Sequence, residues 1–361
     1  MNHCDPIPYA DSVEVFPNGE SDDIHRVIQA LQELLQQSRT QSGDFQGDVH
    51  VKIHGCASAE FRVLPNLPAE LAQGVFAQER TFPAVVRFSN SASQPQPDFL
   101  PDGRGLAVKL FEVEGERLHP DDNESGDNES RTQDFLMVNH PVFLAGNVKN
   151  FLRLEQVLVA AKDNPLVTVT EGLTGGHWNP LHWHWREALT ALQITGHLPA
   201  HPAGNTYFSM TPIRFGQYVA KYRTRPAGDL PGSYLDLVTR LGTQPDALRL
   251  MLEETLRSQQ VLFEFQVQLR TSADTMPVED ATVEWPESES PYRTVALLLI
   301  PRQEIDTPQQ KANCRQLAFN VWHGIADHQP LGGINRLRRA AYPISAAWRR
   351  QETDAPAKET A

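Results

Sequence analysis

Hydrophobic and polar positions alternate most cleanly at residues 261–269, VLFEFQVQL, where Val261, Phe263, Phe265, Val267 and Leu269 oppose Glu264, Gln266 and Gln268. A period of two, with β-branched and aromatic residues on the apolar side, predicts a strand with one buried face. Runs of similar composition between turn residues predict strands at 49–55 (VHVKIHG), 59–64 (AEFRVL), 84–89 (AVVRFS), 105–113 (GLAVKLFEV) and 133–139 (QDFLMVN). TVALLLIP, 294–301, is a short unbroken apolar run, the pattern of a strand buried on both faces.

Helical periodicity is sparser. Ile24, Val27, Ile28, Leu31, Leu34 and Leu35 recur at helical spacing after an acidic first turn, which predicts an amphipathic helix over 21–38. Residues 245–260, PDALRLMLEETLRSQQ, predict another. Residues 114–133 are acidic, rich in Gly, Asn and Ser, and aperiodic, so an exposed loop or hairpin insertion is expected; the polar tail, 351–361, is expected to be disordered. Several long β segments without regular β–α alternation point to an α+β chain, an antiparallel barrel or sandwich decorated with helices.

Composition narrows the function classes. With 361 residues, 40% hydrophobic and 21% charged, the chain has enough apolar residues for a substantial core. No run is long and apolar enough for a membrane span, and MNHCDPIPYADSVEVF lacks the basic start and apolar stretch of a signal peptide, so a cytoplasmic location is expected. A net charge of -13 argues against general nucleic-acid binding. Cys4, Cys56 and Cys314 are widely spaced without a C-x-x-C pair, which predicts reduced thiols rather than a disulfide framework or a cysteine zinc site.

Against that acidic balance, residues 336–350 read RLRRAAYPISAAWRR. Arg338 lies four residues before Tyr342 and Arg349 seven after it, so on a helix the three share nearly one face. Pro343 predicts a kink or a helix start there. A phenol is neutral at neutral pH, but an adjacent guanidinium favours its anion, and a ferric iron does so more strongly. On its own the stretch reads more readily as a surface helix whose arginines face water. HWNPLHWHW, 177–185, clusters His177, His182 and His184 among tryptophans, yet it holds no acidic ligand and reads as a packed or substrate-facing segment rather than a metal site.

Taken together, five short motifs give the chain a family resemblance. R-x-x-x-Y-P with an arginine seven residues beyond the tyrosine (Arg338, Tyr342, Pro343, Arg349), VHVK (49–52), RFS (87–89), DGRGLAVKLF (102–111) and NHPVFL (139–144) occur in the order known from catalases. Over residues 47–350 the chain resembles the catalase superfamily, specifically the smaller bacterial catalase-related haem proteins without a C-terminal flavodoxin-like domain. NTYFSMTPIRFG, 205–216, also looks like these smaller relatives, although the match is thinnest between 150 and 320.

The resemblance implies an antiparallel catalase-type β-barrel with flanking helices, and haem b buried between the barrel and the C-terminal helix. It implies an N-terminal arm and helix at 1–46 and a haem domain at 47–350. Tyr342 would ligate the iron as tyrosinate and Arg338 would hydrogen-bond the phenolate. Arg349 and Arg87 match propionate-holding positions, for which a planar guanidinium suits carboxylate geometry, and Phe151 falls roughly where the family places a phenylalanine near the haem face. His50, Ser89 and Asn139 match the distal group: His50 moves a proton between the peroxide oxygens, Ser89 orients the imidazole and Asn139 polarises the peroxide. His54 competes with His50, but the V-H-x-K match favours His50. Gly47 departs from the family, since large catalases place a propionate-binding arginine there. Arg336, Arg339 and Arg350 receive no role and are expected to face water.

The expected function is a haem-dependent peroxidase or catalase-like oxidoreductase that heterolyses hydrogen peroxide or an organic hydroperoxide. The short chain tilts this towards a peroxidase using a small organic reductant. Rearrangement of fatty-acid hydroperoxides, as in allene-oxide-type relatives, and non-catalytic haem binding stand as alternatives. No nucleic acid and no membrane span are expected as partners, and oligomeric state is open, a homo-oligomer included.

Overall fold

The computed structural model describes residues 5–42, 52–91, 96–118, 131–161, 165–175, 177–228, 230 and 234–353, without the side chains at some helical positions. Nine strands follow in chain order: β1 (Ile53–Val63), β2 (Thr81–Asn90), β3 (Arg104–Leu110), β4 (Gln133–Val138), β5 (Tyr207–Phe208), β6 (Ile213–Phe215), β7 (Tyr218–Pro226), β8 (Val261–Leu269) and β9 (Arg293–Ile300). The helices are α1 (Glu20–Ser42), α2 (Val148–Ala161), α3 (Pro165–Thr174), α4 (Trp185–Thr195), α5 (Tyr234–Thr243), α6 (Ala247–Ser258), α7 (Pro308–Gln316) and α8 (Gly333–Thr353).

The strands are ordered β5-β4-β3-β2-β1-β9-β8-β7, and β5 also pairs with β7, which closes an antiparallel ring of eight; β6 is a hairpin partner of β7. Alternation decides what fills the ring. Ala57, Ala59, Phe61 and Val63 of β1, Ala84, Val86 and Phe88 of β2, Leu106, Val108 and Leu110 of β3, and Phe263, Phe265, Val267 and Leu269 of β8 all enter one buried cluster. Its centre is aromatic: Phe265 lies 5.1 Å from Phe61, 4.9 Å from Phe135 and 5.5 Å from Tyr222, ring centre to ring centre. Each such contact contributes roughly 0.5–1.5 kcal/mol beyond the area it buries. His328 is buried against the same group, 5.6 Å from Phe76, and its Nε2 accepts a hydrogen bond from the Val75 amide at 3.0 Å.

Because the pleat has a period of two, Arg87 and Ser89 of β2, Lys109 of β3 and Asp134 of β4 point away from this core. On the helical side, Val27 of α1, Val148 and Leu152 of α2, and Leu337 of α8 form a separate cluster.

The sequence pattern and the structure differ at several elements. The runs at 49–55 and 59–64 belong to one strand, β1, since pairing to β2 continues from Ile53 to Arg62 through an irregularity at Ile53/Gly55; residues 49–51 lie outside the described residues. In β9 the burial alternates from Ala296 on: Ala296, Leu298 and Ile300 enter the core and Leu297 and Leu299 are half-buried on the other side, while Val295, at a register irregularity against β8, is buried as well. The insertion at 114–133 lies mostly outside the described residues, but its ends meet where the Val113 amide donates to Arg131 O at 2.9 Å. The first three tail residues continue α8 as helix.

The thiol expectation is corrected. Cys56 of β1 and Cys314 of α7 form a disulfide, with Cα atoms 5.6 Å apart. The two lie 258 residues apart in sequence, a separation at which spacing carries no pairing signal and only the fold brings them together. Cys4 lies outside the described residues. Among the described residues no helix is long and apolar enough to cross a membrane.

Candidate functional site

The site is built around the first half of α8. The helix begins where the Gly332 amide donates to Glu14 Oε1 (2.8 Å) and the Gly333 amide to Glu279 Oε2 (2.9 Å), carboxylates meeting the positive end of the helix dipole. Arg336 then gathers Glu14 (2.7 Å), Glu20 (2.8 Å) and Glu279 (2.9 Å) around one guanidinium. Contrary to the expectation that it faces water, Arg336 locks the N-terminal arm and α1 to the start of α8. Arg339 also has a partner, its guanidinium lying 5.1 Å from the Trp322 ring. Pro343 does not end the helix, which is continuous through it. The proline forfeits the bond that its missing N–H would give to Arg339 O.

One turn into the helix, Arg338 Nη1 donates to Thr211 Oγ1 and Asn335 Oδ1, both at 3.2 Å, and its guanidinium lies 5.1 Å from the Phe143 ring. Tyr342, one turn later, is half-buried. Both side chains act on Tyr222 in the barrel wall. Burial raises the Tyr222 phenol well above its ordinary pKa; the Arg338 charge opposes that rise and Tyr342 adds to it. Arg338 and Tyr342 are thus both within electrostatic reach of Tyr222. Between that wall and α8 lies a small cavity lined by Phe135, Thr211, Tyr222, Asn335 and Arg338, among others.

The outward face of β2 to β4 supplies the second group. Arg87 pairs in register with Cys56 and Ala107, and Ser89 with Gly105; both side chains are buried. The Arg87 guanidinium stacks 4.7 Å from the Phe319 ring, which also receives Lys109 Nζ at 5.5 Å. Lys109 forms a fully buried ion pair with Asp134 at 2.9 Å. Asp134 further accepts from the Asn320 amide (2.9 Å) and lies 3.3 Å from His323 Nδ1. Burial alone would raise the Asp134 pKa, but Lys109 and His323 outweigh it and hold the carboxyl below its ordinary value. Asn139 follows β4 directly. Its Oδ1 accepts from the Arg104 amide at 2.7 Å and its own amide donates to Arg104 O at 2.9 Å, so its side-chain NH2 is the group that it can present to a ligand. Phe151 of α2 stacks on Phe143 at 5.7 Å and packs against the α1–α2–α8 cluster. Phe143 thus touches both Phe151 and Arg338.

A third group closes one end of the ring. His54 is 99% buried, and its Nε2 meets Asn90 Oδ1 at 2.6 Å. The same oxygen accepts from Arg104 Nη1 at 2.8 Å; a guanidinium can only donate, so Oδ1 is the acceptor and His54 Nε2 carries the proton. That leaves Nδ1 as a buried lone pair with no hydrogen-bond partner among the described residues. Burial pushes the His54 pKa down to about 4, so the imidazole is neutral near pH 7. Lys52, of the VHVK motif, is clamped by Asp98 (2.8 Å) and Asp246 (3.0 Å), and Asp102 accepts from Ser91 Oγ at 2.9 Å.

Two of the expected site positions fall outside the described residues, His50 and the Arg349 side chain, as does Gly47. Arg87, Ser89, Asn139, Phe151, Arg338 and Tyr342 are placed as above. Sequence reading assigned no role to the residues that hold them: Asn335 and Phe319 carry no motif, while Phe143, inside NHPVFL, and Thr211, inside NTYFSMTPIRFG, lie in segments that carried the resemblance without being singled out. HWNPLHWHW forms a 3-10 turn leading into α4, and among the described residues no three His, Cys, Asp or Glu side chains gather as a metal-ligand set.

No protein-family model matches the sequence, and no curated protein matches it. Solved structures do. Catalase A from Saccharomyces cerevisiae superposes with a TM-score of 0.62 at 16% identity, over 87% of this chain and 63% of its own. A fungal catalase gives 0.62 at 16% identity, over 88% and 61%, and a bacterial catalase 0.58 at 17%, over 90% and 60%. The chain therefore spans 60–63% of the length of these catalases, and at such identities the likeness is one of fold: an antiparallel β-barrel with flanking α-helices, as the catalases have.

Proposed function

We propose that this chain is a haem-dependent oxidoreductase that reduces hydrogen peroxide or an organic hydroperoxide, with Tyr342 as the iron ligand. The observation that carries the proposal is the Arg338–Tyr342 pair. A guanidinium fixed by Thr211 and Asn335 sits one helical turn from a half-buried phenol, and both are within electrostatic reach of the buried Tyr222. A fixed guanidinium one turn before the candidate ligand is the arrangement that the R-x-x-x-Y-P resemblance implies.

Bound at Tyr342, ferric haem would supply the redox capacity to cleave a peroxide O–O bond. The remaining roles belong to this chain. Arg87, with Arg349, would hold the propionates; Phe151, braced by Phe143, would pack near the macrocycle. Asn139 would donate its side-chain NH2 to peroxide, since its Oδ1 is occupied by Arg104. His50 would take a proton from the inner peroxide oxygen and return it to the outer one, with Ser89 orienting the ring.

The test is spectroscopic. Protein produced with ample haem should show a Soret band and high-spin ferric charge-transfer bands, and Tyr342→Phe should lose most of the bound haem. His50→Ala should keep the spectrum but lower dye oxidation by about a hundredfold or more, the usual contribution of a positioned acid–base group. An unchanged spectrum in Tyr342→Phe would overturn the ligand assignment.

A further inference from the structure

The strongest exposed apolar feature lies away from the site, between α3 and α4. From Gly172 to Trp185 the chain contains no Asp, Glu, Lys or Arg, in a protein of net charge -13, and it holds three tryptophans. At its apex Trp178 is 98% exposed and Leu181 89%. The apolar surface continues along α4, where Trp185, Leu189 and Leu192 are exposed at i, i+4 and i+7, while Thr190 and Ile194 face the protein.

Several backbone amides of this apex and two of its three indoles are already satisfied from within. The Leu181 amide donates to Asn179 Oδ1 (3.0 Å), the His182 amide to Asn179 O (3.0 Å), the Trp183 amide to Pro180 O (3.2 Å) and the His184 amide to Leu173 O (2.8 Å). The indole N–H of Trp183 donates to His177 O (2.8 Å) and that of Trp185 to Pro180 O (2.9 Å). The groups so paired cost little more when water is removed, while the Trp178 indole N–H and the exposed imidazoles of His177 and His182 are polar tips suited to the headgroup level.

We propose that this apex and the exposed stripe of α4 insert into the interfacial layer of a lipid bilayer. A pair of large apolar side chains exposed over nearly their whole surface makes a convex feature, which needs a deformable apolar medium rather than a flat protein face. Tryptophan is the residue favoured at the boundary between headgroups and acyl chains, and an apolar helical stripe running on from the apex is the pattern of an in-plane interfacial helix. The lack of charge on the apex fixes the kind of surface. Attraction to anionic lipid has no lysine or arginine to work through between Gly172 and Trp185, and the acidic remainder of the chain would be repelled, so insertion rests on apolar burial.

The full chain should therefore cosediment with phosphatidylcholine vesicles, with a blue shift of tryptophan emission, and high salt should not release it. The double variant Trp178→Ser, Leu181→Ser should partition about ten- to a hundredfold more weakly, the effect of losing the burial of one or two large side chains, while its circular dichroism and melting temperature stay as in the parent. Failure to cosediment with phosphatidylcholine overturns the proposal, as does binding that requires anionic lipid and is lost in salt. So does a double variant that binds as well as the parent. A lipid-free dimer that the double variant abolishes would assign the face to a second copy of the chain and likewise overturn it.

Discussion

At the scale of single residues, the Lys109–Asp134 pair shows how the outward barrel face holds its shape. Both side chains are fully buried, and neither charge is tolerable without the other, since moving an unpaired ion out of water costs several kcal/mol. Asp134→Asn would strand the Lys109 ammonium beneath Phe319 and withdraw the charge facing His323; the expected loss is about 3–5 kcal/mol of unfolding free energy, read from urea midpoints near neutral pH. A change below about 1 kcal/mol would mean that water reaches the pair. The role of these residues was only half legible in the sequence. Arg87, Asn139, Arg338 and Tyr342 stand in recognisable motifs, whereas Asp134 and Phe319 do not, because an aspartate inside QDFLMVN gains its meaning only from Lys109 on the neighbouring strand and His323 far along the chain. Arg336 was misread for the same reason. Its three carboxylates come from residues 14, 20 and 279, and no helical periodicity around residue 336 reports them.

At the scale of elements, legibility followed the alternation of apolar side chains. VLFEFQVQL is β8 residue for residue, but its opposite face is not left to water as the alternation suggested, since Gln266 and Gln268 are buried too and Gln268 donates to Trp285 O and Ser290 O. YVAKYRTRP, now β7, escaped notice because its interior is polar as well as apolar: Lys221 is buried there, donating to Val283 O at 3.0 Å and lying 5.2 Å from the Trp285 ring. The Cys56–Cys314 bond was equally hidden, and it has a mechanical consequence. It fastens α7 to β1 on the strand position that pairs with Arg87, and a few residues beyond α7 comes Phe319, on which Arg87 stacks. Closing so long a loop restricts the unfolded chain, a stabilisation of about 2–4 kcal/mol in typical cases. Unfolded in denaturant without reductant, the protein should titrate as one free thiol, the remaining Cys4 of three, and Cys314→Ser should lower the melting temperature. Three free thiols under those conditions would show that the bond does not form.

At the scale of the whole molecule, the ring closes through β5, a strand of two residues that pairs with both β4 and β7. No sequence pattern marks so short an element, so the barrel could be expected from composition and resemblance but its seam could not. Inside and around this ring the fold keeps several imidazoles neutral. Burial lowers His54 and His201 to about 4 and His328 to about 3, each from an ordinary value near 6.5. His328 illustrates the cause: it sits among Phe76, Phe135 and Phe215, and its Nε2 is committed as acceptor to the Val75 amide, so a proton there would both charge an aromatic core and break that bond. In the unfolded chain the same histidines take up protons below about pH 6.5. Between that value and about pH 4 the unfolded state therefore binds more protons than the folded one, and stability must fall as pH is lowered, by up to about 1.4 kcal/mol per pH unit for each histidine. Asp134, whose pKa is lowered, adds its loss only at still lower pH, once its carboxylate begins to protonate. Glu155 runs the other way, since burial raises its carboxyl to about 7 and the folded state takes up its proton first, but one such group offsets only one of these three histidines, so urea midpoints measured at pH 7, 6 and 5 should still decline. A flat profile over that interval would show that these imidazoles are hydrated in the folded protein, and His328→Gln, which retains an acceptor for the Val75 amide but cannot charge there, should shallow the slope.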